Sequence, residues 1–538
     1  MDNKFTVHYS VAGEQKTTAA TNDDIELFAE ENNNRHTVTV RAKKDIRLSL
    51  FVQSLPFSPG KSDLCFFNGY QSWTDTKERT PKEKEKNVKK LPKFLVDGFA
   101  FDRYGDACFY PYGKHLLHGY DVFYCKGSCE KFVLNLNYTR AYLVTELNKK
   151  NKALRLSYDY NGYAVGAGSE LTVADYYLSD SVADGMNYFN ATFPGKNTPK
   201  IFGYTSWYNY YQDINEEILL RDLGALDKQF NLFQIDDGYE TKVGDWLSVD
   251  AGKFPNGLKP IVDEAHKRGF NAGIWLAPFV AETESELFKT RKDLFKRDKD
   301  GELVKCGANW SGFYALDLEN PEALAYIEKC LKHYADMGFD FFKLDFLYAA
   351  NLVTTEGTSR SMAAENAYSF LRECLSGKTI LGCGATVFNC IDKFDYLRVG
   401  PDVSLIFDDV WYMRFMHRER ISTKVTLQNT VYRSFFNDRM FGNDPDVFLL
   451  RDDNIKLKKA QRRALLTINA LFGSVLMTSD NLGQYDDEKR KLLSSALDLF
   501  YNAEVVGYAR KGKTIEITYS VNDRVQTIKY DTKRGVLC

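Results

Sequence analysis

Several apolar runs in this chain close on a carboxylate. The segment Phe339-Asp340-Phe341-Phe342-Lys343-Leu344-Asp345-Phe346 is the fullest of them. Apolar on both faces, it reads as a strand of a parallel core. Lys343 and Asp345 lie two residues apart and so share one face of it. A charged pair there is costly unless it is paired or used for chemistry. Asp236-Asp237 follows the run 232–235, and Arg398 with Asp402 follows the run 396–399. Paired carboxylates suit cleavage of a glycosidic bond, in which one attacks the anomeric carbon and the other protonates the leaving oxygen. Asp345 fits the nucleophile, because Lys343 beside it favours the ionised form. Asp402, on a loop behind Pro401, fits the acid, which must hold its proton near neutrality. Asp236 and Asp237 suit a different task, accepting two sugar hydroxyls, and Arg398 suits orienting another. Trp207 and Trp275, also at strand ends, would wall the sugar with apolar faces.

Singly, each signal has a plainer meaning. Asp236-Asp237-Gly238 is an ordinary turn sequence. Trp207 and Trp275 could be core, and Cys383 a small buried residue. Asp408-Asp409 reads as a surface turn, and Asn443-Asp444-Pro445-Asp446 as another turn. Lys343 and Asp345 could be a structural ion pair. Placement at successive strand ends is what raises them together. Of seven histidines, only His417 falls near a candidate loop, and no His-X-His pattern occurs. A metal-dependent hydrolase is therefore disfavoured, and the expectation is a site without metal or cofactor. No phosphate-cradling glycine loop with a lysine is present.

The elements that must position these residues follow from rhythm. Up to about residue 195 the chain alternates or runs apolar over strand lengths, as at 37–41, 46–51 and 132–136, with turns between. That predicts a β-sandwich. The Lys-rich run 82–93 reads as a solvated, mobile loop. From about 200 the rhythm becomes strand, loop, helix, with strands predicted at 201–204, 232–235, 271–276, 339–346, 378–383 and 396–399. A seventh is predicted near 432–436 and an eighth at 474–477. Asp213 with Glu216 suggests a capping box, and Pro260 and Asn320-Pro321 suggest helix starts. Gly269 and Gly338 suggest helix ends. Eight strand–helix units predict a (β/α)8 TIM barrel over 196–501, with its site at the C-terminal ends of the strands. A doubly wound sheet is the alternative, but its glycine-rich first loop is missing. The fold class is thus multidomain α/β plus β: sandwich over 1–195, barrel, and a short C-terminal β segment of three strands over 502–538.

Charge is balanced at net −2, which argues against a nucleic-acid partner or an anionic membrane. The N-terminus Met1-Asp2-Asn3-Lys4-Phe5 lacks a leader's apolar core, and no apolar run is long enough to span a bilayer. A cytoplasmic location follows as an expectation. Ten cysteines then read as mostly free thiols, with Cys125 and Cys129 as a hairpin thiol pair.

The region 200–480 resembles the α-galactosidases of glycoside hydrolase family 36, of the melibiase clan. Five motifs occur in that family's order: Gly203-Tyr204-Thr205-Ser206-Trp207, Ile235-Asp236-Asp237-Gly238, Gly244-Asp245-Trp246 with Lys253 to Leu258, Lys343-Leu344-Asp345, and Arg398-Val399-Gly400-Pro401-Asp402. The resemblance implies a retaining, exo-acting α-galactosidase. Asp345 is then the nucleophile and Asp402 the acid/base; Trp207, Asp236, Asp237, Trp275, Lys343 and Arg398 bind sugar. It also implies that an aromatic loop of the sandwich reaches the site, a part that Trp73 would play. Cys383, in Gly382-Cys383-Gly384-Ala385, stands where the family has a Cys-Ser-Gly-Gly-Gly loop near the sugar's 2-position. The partial match there leaves an α-N-acetylgalactosaminidase open, and a transglycosylase of the raffinose-synthase kind is a further alternative. The expected partner is an α-galactoside oligosaccharide or glycoconjugate; the oligomeric state is left open.

Overall fold

Period-two burial builds the N-terminal part. In Arg35–Ala42 the buried residues are His36, Val38, Val40 and Ala42, so one face of the strand is apolar and the other wet. The computed structural model describes residues 5–538; Met1 to Lys4, part of the N-terminal stretch read above, lie outside the described residues. Thirteen antiparallel strands form two sheets, of six and seven strands. Val7, Leu48, Phe51, Phe123, Val133 and Tyr158 are among the side chains that fill the space between them. This is a sandwich. Helix Val182–Thr192, capped by the Ser181 side chain on Asp184 N–H, leads out of it.

The central part is built from strands buried on both faces, as in Leu232–Ile235 and Phe341–Leu344. In chain order these strands are Ile201–Thr205, Leu232–Ile235, Asn271–Leu276, Phe341–Leu344, Thr379–Gly382, Tyr396–Arg398, Gly442–Asp444 with Val447–Phe448, and Val475–Thr478. Each pairs in parallel with its neighbour. The seventh strand is broken at Pro445-Asp446. Its first piece pairs with the sixth strand and its second with the eighth, so the curled sheet closes through the break.

Three expectations are corrected here. The predicted seventh strand near 432–436 is the end of helix Thr423–Tyr432 and a 3-10 turn, Ser434–Phe436. Its helix is buried along nearly its whole length, which erases the amphipathic period and leaves a run that looks strand-like. After the fifth strand there is no full helix, only the 3-10 turn Phe388–Cys390. Phe388 there packs against Tyr138 and Phe193, so the N-terminal part covers the face a helix would otherwise cover. The helix Glu216–Ala225 is capped by Asn215, whose side chain accepts from Ile218 N–H, not by Asp213. Asn320 and Gly338 do bound helix Pro321–Met337 as expected, Gly338 with φ +110°.

The insertion after the third strand carries a small sheet of Val280–Glu282, Lys305–Gly307 and Phe313–Ala315. The C-terminal segment makes four antiparallel strands, the last only Val536–Leu537, against the three expected. The Lys-rich run is partly anchored. Glu85 is buried against Arg79 at 2.5 Å, and Lys86 pairs with the buried Asp75. Burial pulls the Lys86 ammonium down to about 7 despite that partner. Cys125 faces Cys65 across two strands, and all ten cysteines are free thiols. Among the described residues, no helix is long and apolar enough to cross a membrane.

Candidate active site

The C-terminal ends of the barrel strands open on a cavity of about 370 Å³. Asp236, Asp237, Trp275, Lys343, Asp345 and Asp402 line it, with Trp207 and Trp73. Parallel packing brings the strand ends to this one face, since all eight strands point the same way.

Asp345 follows the last residue of the fourth strand. Its backbone N–H still donates to Leu276 O at 2.8 Å, so the sheet fixes its Cα. Trp275 Nε1–H donates to Oδ2 at 3.0 Å, and Phe346 N–H donates to Oδ1 at 2.8 Å. Two donors hold the carboxylate in one orientation. Phe346 reaches it only by adopting a left-handed backbone, φ +54°, an uncommon conformation for a bulky residue.

Lys343 does not pair with its strand neighbour. Its Nζ donates to Asp236 Oδ2 at 2.8 Å. Burial alone would push the ammonium down, but Asp236 and, more weakly, Asp345 hold it above its usual value. Asp236 Oδ2 also accepts from Thr205 Oγ1 and Gln234 Nε2. Asp237 accepts from Gln212 Nε2 at 3.1 Å and from Trp310 Nε1 at 2.9 Å. Burial raises its pKa, and Asp236 adds to the rise against those donors. Each carboxylate keeps acceptor positions beyond these bonds.

Asp402 lines the cavity from the loop after the sixth strand. Arg398 Nη1–H donates to its Oδ1 at 3.0 Å. About a third of the side chain is open, toward the cavity it lines. Burial raises its pKa; Arg398 and Lys343 oppose the rise, and Asp345 reinforces it. The net effect favours a protonated carboxyl at higher pH than an exposed aspartate allows.

Arg398 itself sits one layer behind the cavity wall. It spreads over three carboxylates: Asp402, Asp444 at 2.9 Å and Asp446 at 3.0 Å. Cys383 is also behind the wall, where its Sγ lies 3.3 Å from Trp73 Nε1. Trp73 comes from the sandwich loop, which docks by Ser72 N–H on Ala385 O at 2.9 Å.

Sequence reading missed four contributors. Trp310 lines the cavity from the insertion, also with a left-handed φ of +54°. Its signal was available, because an aromatic in a long loop at the C-terminal end of a barrel strand faces the mouth. Asp444 and Asp446 were masked by the misplaced seventh strand. Tyr208 donates from its hydroxyl to Asp446 Oδ2 at 2.5 Å, and follows Trp207 directly.

Residues 189–377 match the Melibiase family model. The α-galactosidase of Escherichia coli is 34% identical over 104 residues, 18% of this chain and 14% of that protein. Alpha-galactosidase Mel36A of Lactobacillus acidophilus is 33% identical over 96 residues, 16% and 13%. Alpha-xylosidase XylQ of Lactiplantibacillus pentosus is 29% identical over 155 residues, 27% and 20%. The matched stretches thus span a fifth or less of these curated relatives. Among solved structures, TtGalA, an α-galactosidase from Thermus thermophilus in complex with p-nitrophenyl α-D-galactopyranoside, superposes with a TM-score of 0.72 at 25% identity. That match covers 93% of this chain and 98% of that one. The family 36 α-galactosidase AgaA of Geobacillus stearothermophilus shares the fold, with a TM-score of 0.61 at 12% identity over 94% and 72% of the two chains.

Proposed function

From a chain that carries a melibiase domain on the fold of the family 36 α-galactosidases, we infer a retaining, exo-acting α-galactosidase that works through a covalent glycosyl-aspartate. Asp345 attacks C1 as Asp402 gives its proton to the leaving oxygen; Asp402 then takes a proton from the water that releases the sugar. The observation that carries this reading is the contrast between the two carboxyls in one cavity. Asp345 is fixed by two N–H donors at 2.8 and 3.0 Å, which suit an anion. Asp402 has its pKa raised by burial, which suits an acid. Asp236 and Asp237 accept hydroxyls of the terminal sugar, with Trp207, Trp275, Trp310 and Trp73 around it. Lys343 orients Asp236, and Arg398 orients Asp402.

Galactose is favoured over N-acetylgalactosamine by the names of the similar proteins, which are α-galactosidases. The relative named an α-xylosidase supports a second reading, a pentose glycone. The test is release of nitrophenol from aryl α-galactoside, α-N-acetylgalactosaminide and α-xyloside, side by side, with wild type and Asp345→Ala. Galactoside turnover abolished by the substitution, with the α-anomer released first by NMR, is the expected result. Unchanged turnover in Asp345→Ala would remove Asp345 from the mechanism, and a β-anomer would remove retention.

A further inference from the structure

A second cavity, of about 230 Å³, lies on the six-stranded sheet of the sandwich and shares no lining residue with the barrel cavity. Strand alternation builds its floor. In the strand Ala153–Val165, Leu154, Leu156 and Tyr158 belong to the sandwich core, so Arg155, Ser157 and Asp159 fall on the opposite face, where they line the cavity. Glu146, on the neighbouring strand Leu143–Asn148, stands directly opposite Arg155 in the antiparallel register. Phe109 and Pro111 complete the lining, with Arg360 from the start of helix Arg360–Cys374 of the barrel. The walls are fixed from behind. Tyr70 packs edge-on against Phe109 and Tyr120 at 5.1 Å and against Tyr142 at 5.6 Å. The Arg360 guanidinium lies over the Phe109 ring at 3.9 Å while it donates to Asn351 O and Leu352 O.

The floor carries hydrogen-bonding capacity that the protein does not use. Opposite charges facing each other across two strands ordinarily pair. Here Glu146 Oε2 instead accepts from the Tyr110 hydroxyl at 2.6 Å, and among the described residues Arg155 has neither a hydrogen bond nor an ion pair. Glu146 and Ser157, each only 8% exposed, keep Oε1 and the hydroxyl without a partner among the described residues. Asp159 spends one oxygen, Oδ1, on Asn161 N–H at 2.9 Å. Donors of Arg155 and acceptors of Glu146, Ser157 and Asp159 thus face one space, beside the apolar surfaces of Phe109, Pro111 and Val144. The charges decide the class of ligand. A phosphate or a carboxylate would meet Glu146 and Asp159, and an amine would meet Arg155 and Arg360. A neutral ring edged with hydroxyls satisfies both signs, because each hydroxyl donates and accepts, while its C–H face packs on the aromatic wall. We propose that this cavity is a second, non-catalytic site that binds a neutral sugar ring through Arg155 and Glu146.

Saturation-transfer NMR tests this with D-galactose, D-glucose and D-xylose as neutral probes and inorganic phosphate and glycine as charged ones. The full chain is used with Asp237→Ala, which weakens sugar binding in the barrel cavity. At least one neutral sugar should show saturable transfer in that background. Its dissociation constant should rise about tenfold or more when Arg155→Leu or Glu146→Gln is added, the loss expected when hydrogen bonds to charged groups are removed. Thermal unfolding without sugar checks that each variant folds, and Asp159→Asn, at an exposed position, replaces Glu146→Gln if that buried change does not. Phosphate and glycine should not displace the sugar. No saturable transfer from any of the three sugars overturns the proposal, and so does an unchanged constant in Arg155→Leu. Displacement by phosphate or by glycine also overturns it, and assigns the cavity to an anion or a zwitterion. The measurement reads the same whether or not the wild type cleaves a galactoside, so failure of the hydrolase reading and failure of this site are told apart.

Discussion

At the scale of single residues, the proposed chemistry rests on unequal surroundings for equal side chains. Asp345 follows a strand directly and Asp402 lies on the loop beyond another, and one receives two N–H bonds while the other is pushed toward its neutral form by burial. Asp402→Asn should therefore cut turnover about 10²- to 10⁴-fold on alkyl galactosides, whose leaving group needs the proton, and less on nitrophenyl galactoside. Parallel rate measurements on the two substrates check this, and equal losses would assign Asp402 another role. Trp310→Phe removes the N–H that Asp237 accepts while keeping the ring. A hydrogen bond to a charged group has a net worth of about 1.5–3 kcal/mol, so KM should rise roughly tenfold with kcat changed less. Steady-state kinetics on the aryl galactoside reads it. Sequence alone pointed to Asp345, Asp402, Asp236 and Asp237, because a carboxylate after a buried run is a local signal. Trp310 gave none so sharp, since its contact with Asp237 spans 73 positions.

At the scale of elements, the broken seventh strand matters most. The break puts Asp444 and Asp446 both on Arg398, and Asp446 adopts a left-handed φ of +72° to do so. Burial drives the Asp446 carboxyl up to about 7, with Arg398 opposing and Asp402 reinforcing. The charge on Asp402 thus bears on Asp446. Asp446→Asn keeps the backbone, since asparagine tolerates that region. It removes a negative neighbour that resists ionisation of Asp402, so the pKa of Asp402 should fall. The basic limb of the kcat/KM–pH profile should move to lower pH. A limb that stays or moves upward would show that Asp446 does not act on Asp402. The break was invisible in the sequence, where Asn443-Asp444-Pro445-Asp446 reads as a turn; only its partner strands on either side make it part of a barrel.

At the scale of the whole molecule, Arg433 joins the sandwich to the barrel. Fully buried, it donates to Asn68 Oδ1 at 3.0 Å and to the carbonyls of Ser72, Val399, Gln71 and Gly69. Among the described residues it has no carboxylate partner, and burial, with Arg418 adding, lowers its pKa to about 9. These bonds hold the loop that carries Trp73. Arg433→Met should lower stability by about 3 kcal/mol or more, because several buried carbonyls lose their donor. KM should rise with the loosened Trp73, and Arg433→Lys, which cannot span the same carbonyls, should restore little. Thermal unfolding and kinetics together decide it; a stable variant with unchanged KM would show that the loop holds without Arg433.

What the amino-acid order determined by itself is local: apolar periods of two and of buried runs, glycine and asparagine at helix ends, and carboxylates just past strand ends. Those patterns depend on a few neighbouring residues, so they specified the sandwich, the barrel and most cavity-facing acids without coordinates. The structure decided everything that depends on contacts distant in the chain. It put Lys343 on Asp236 and not on Asp345, set Arg398 and Cys383 behind the wall, and let the sandwich stand in for a missing helix. It also hid the amphipathic period of a helix that is buried all round. The reason is the same in each case. A side chain's pKa, exposure and partners are set by what packs on it from other elements, and that packing has no local signature.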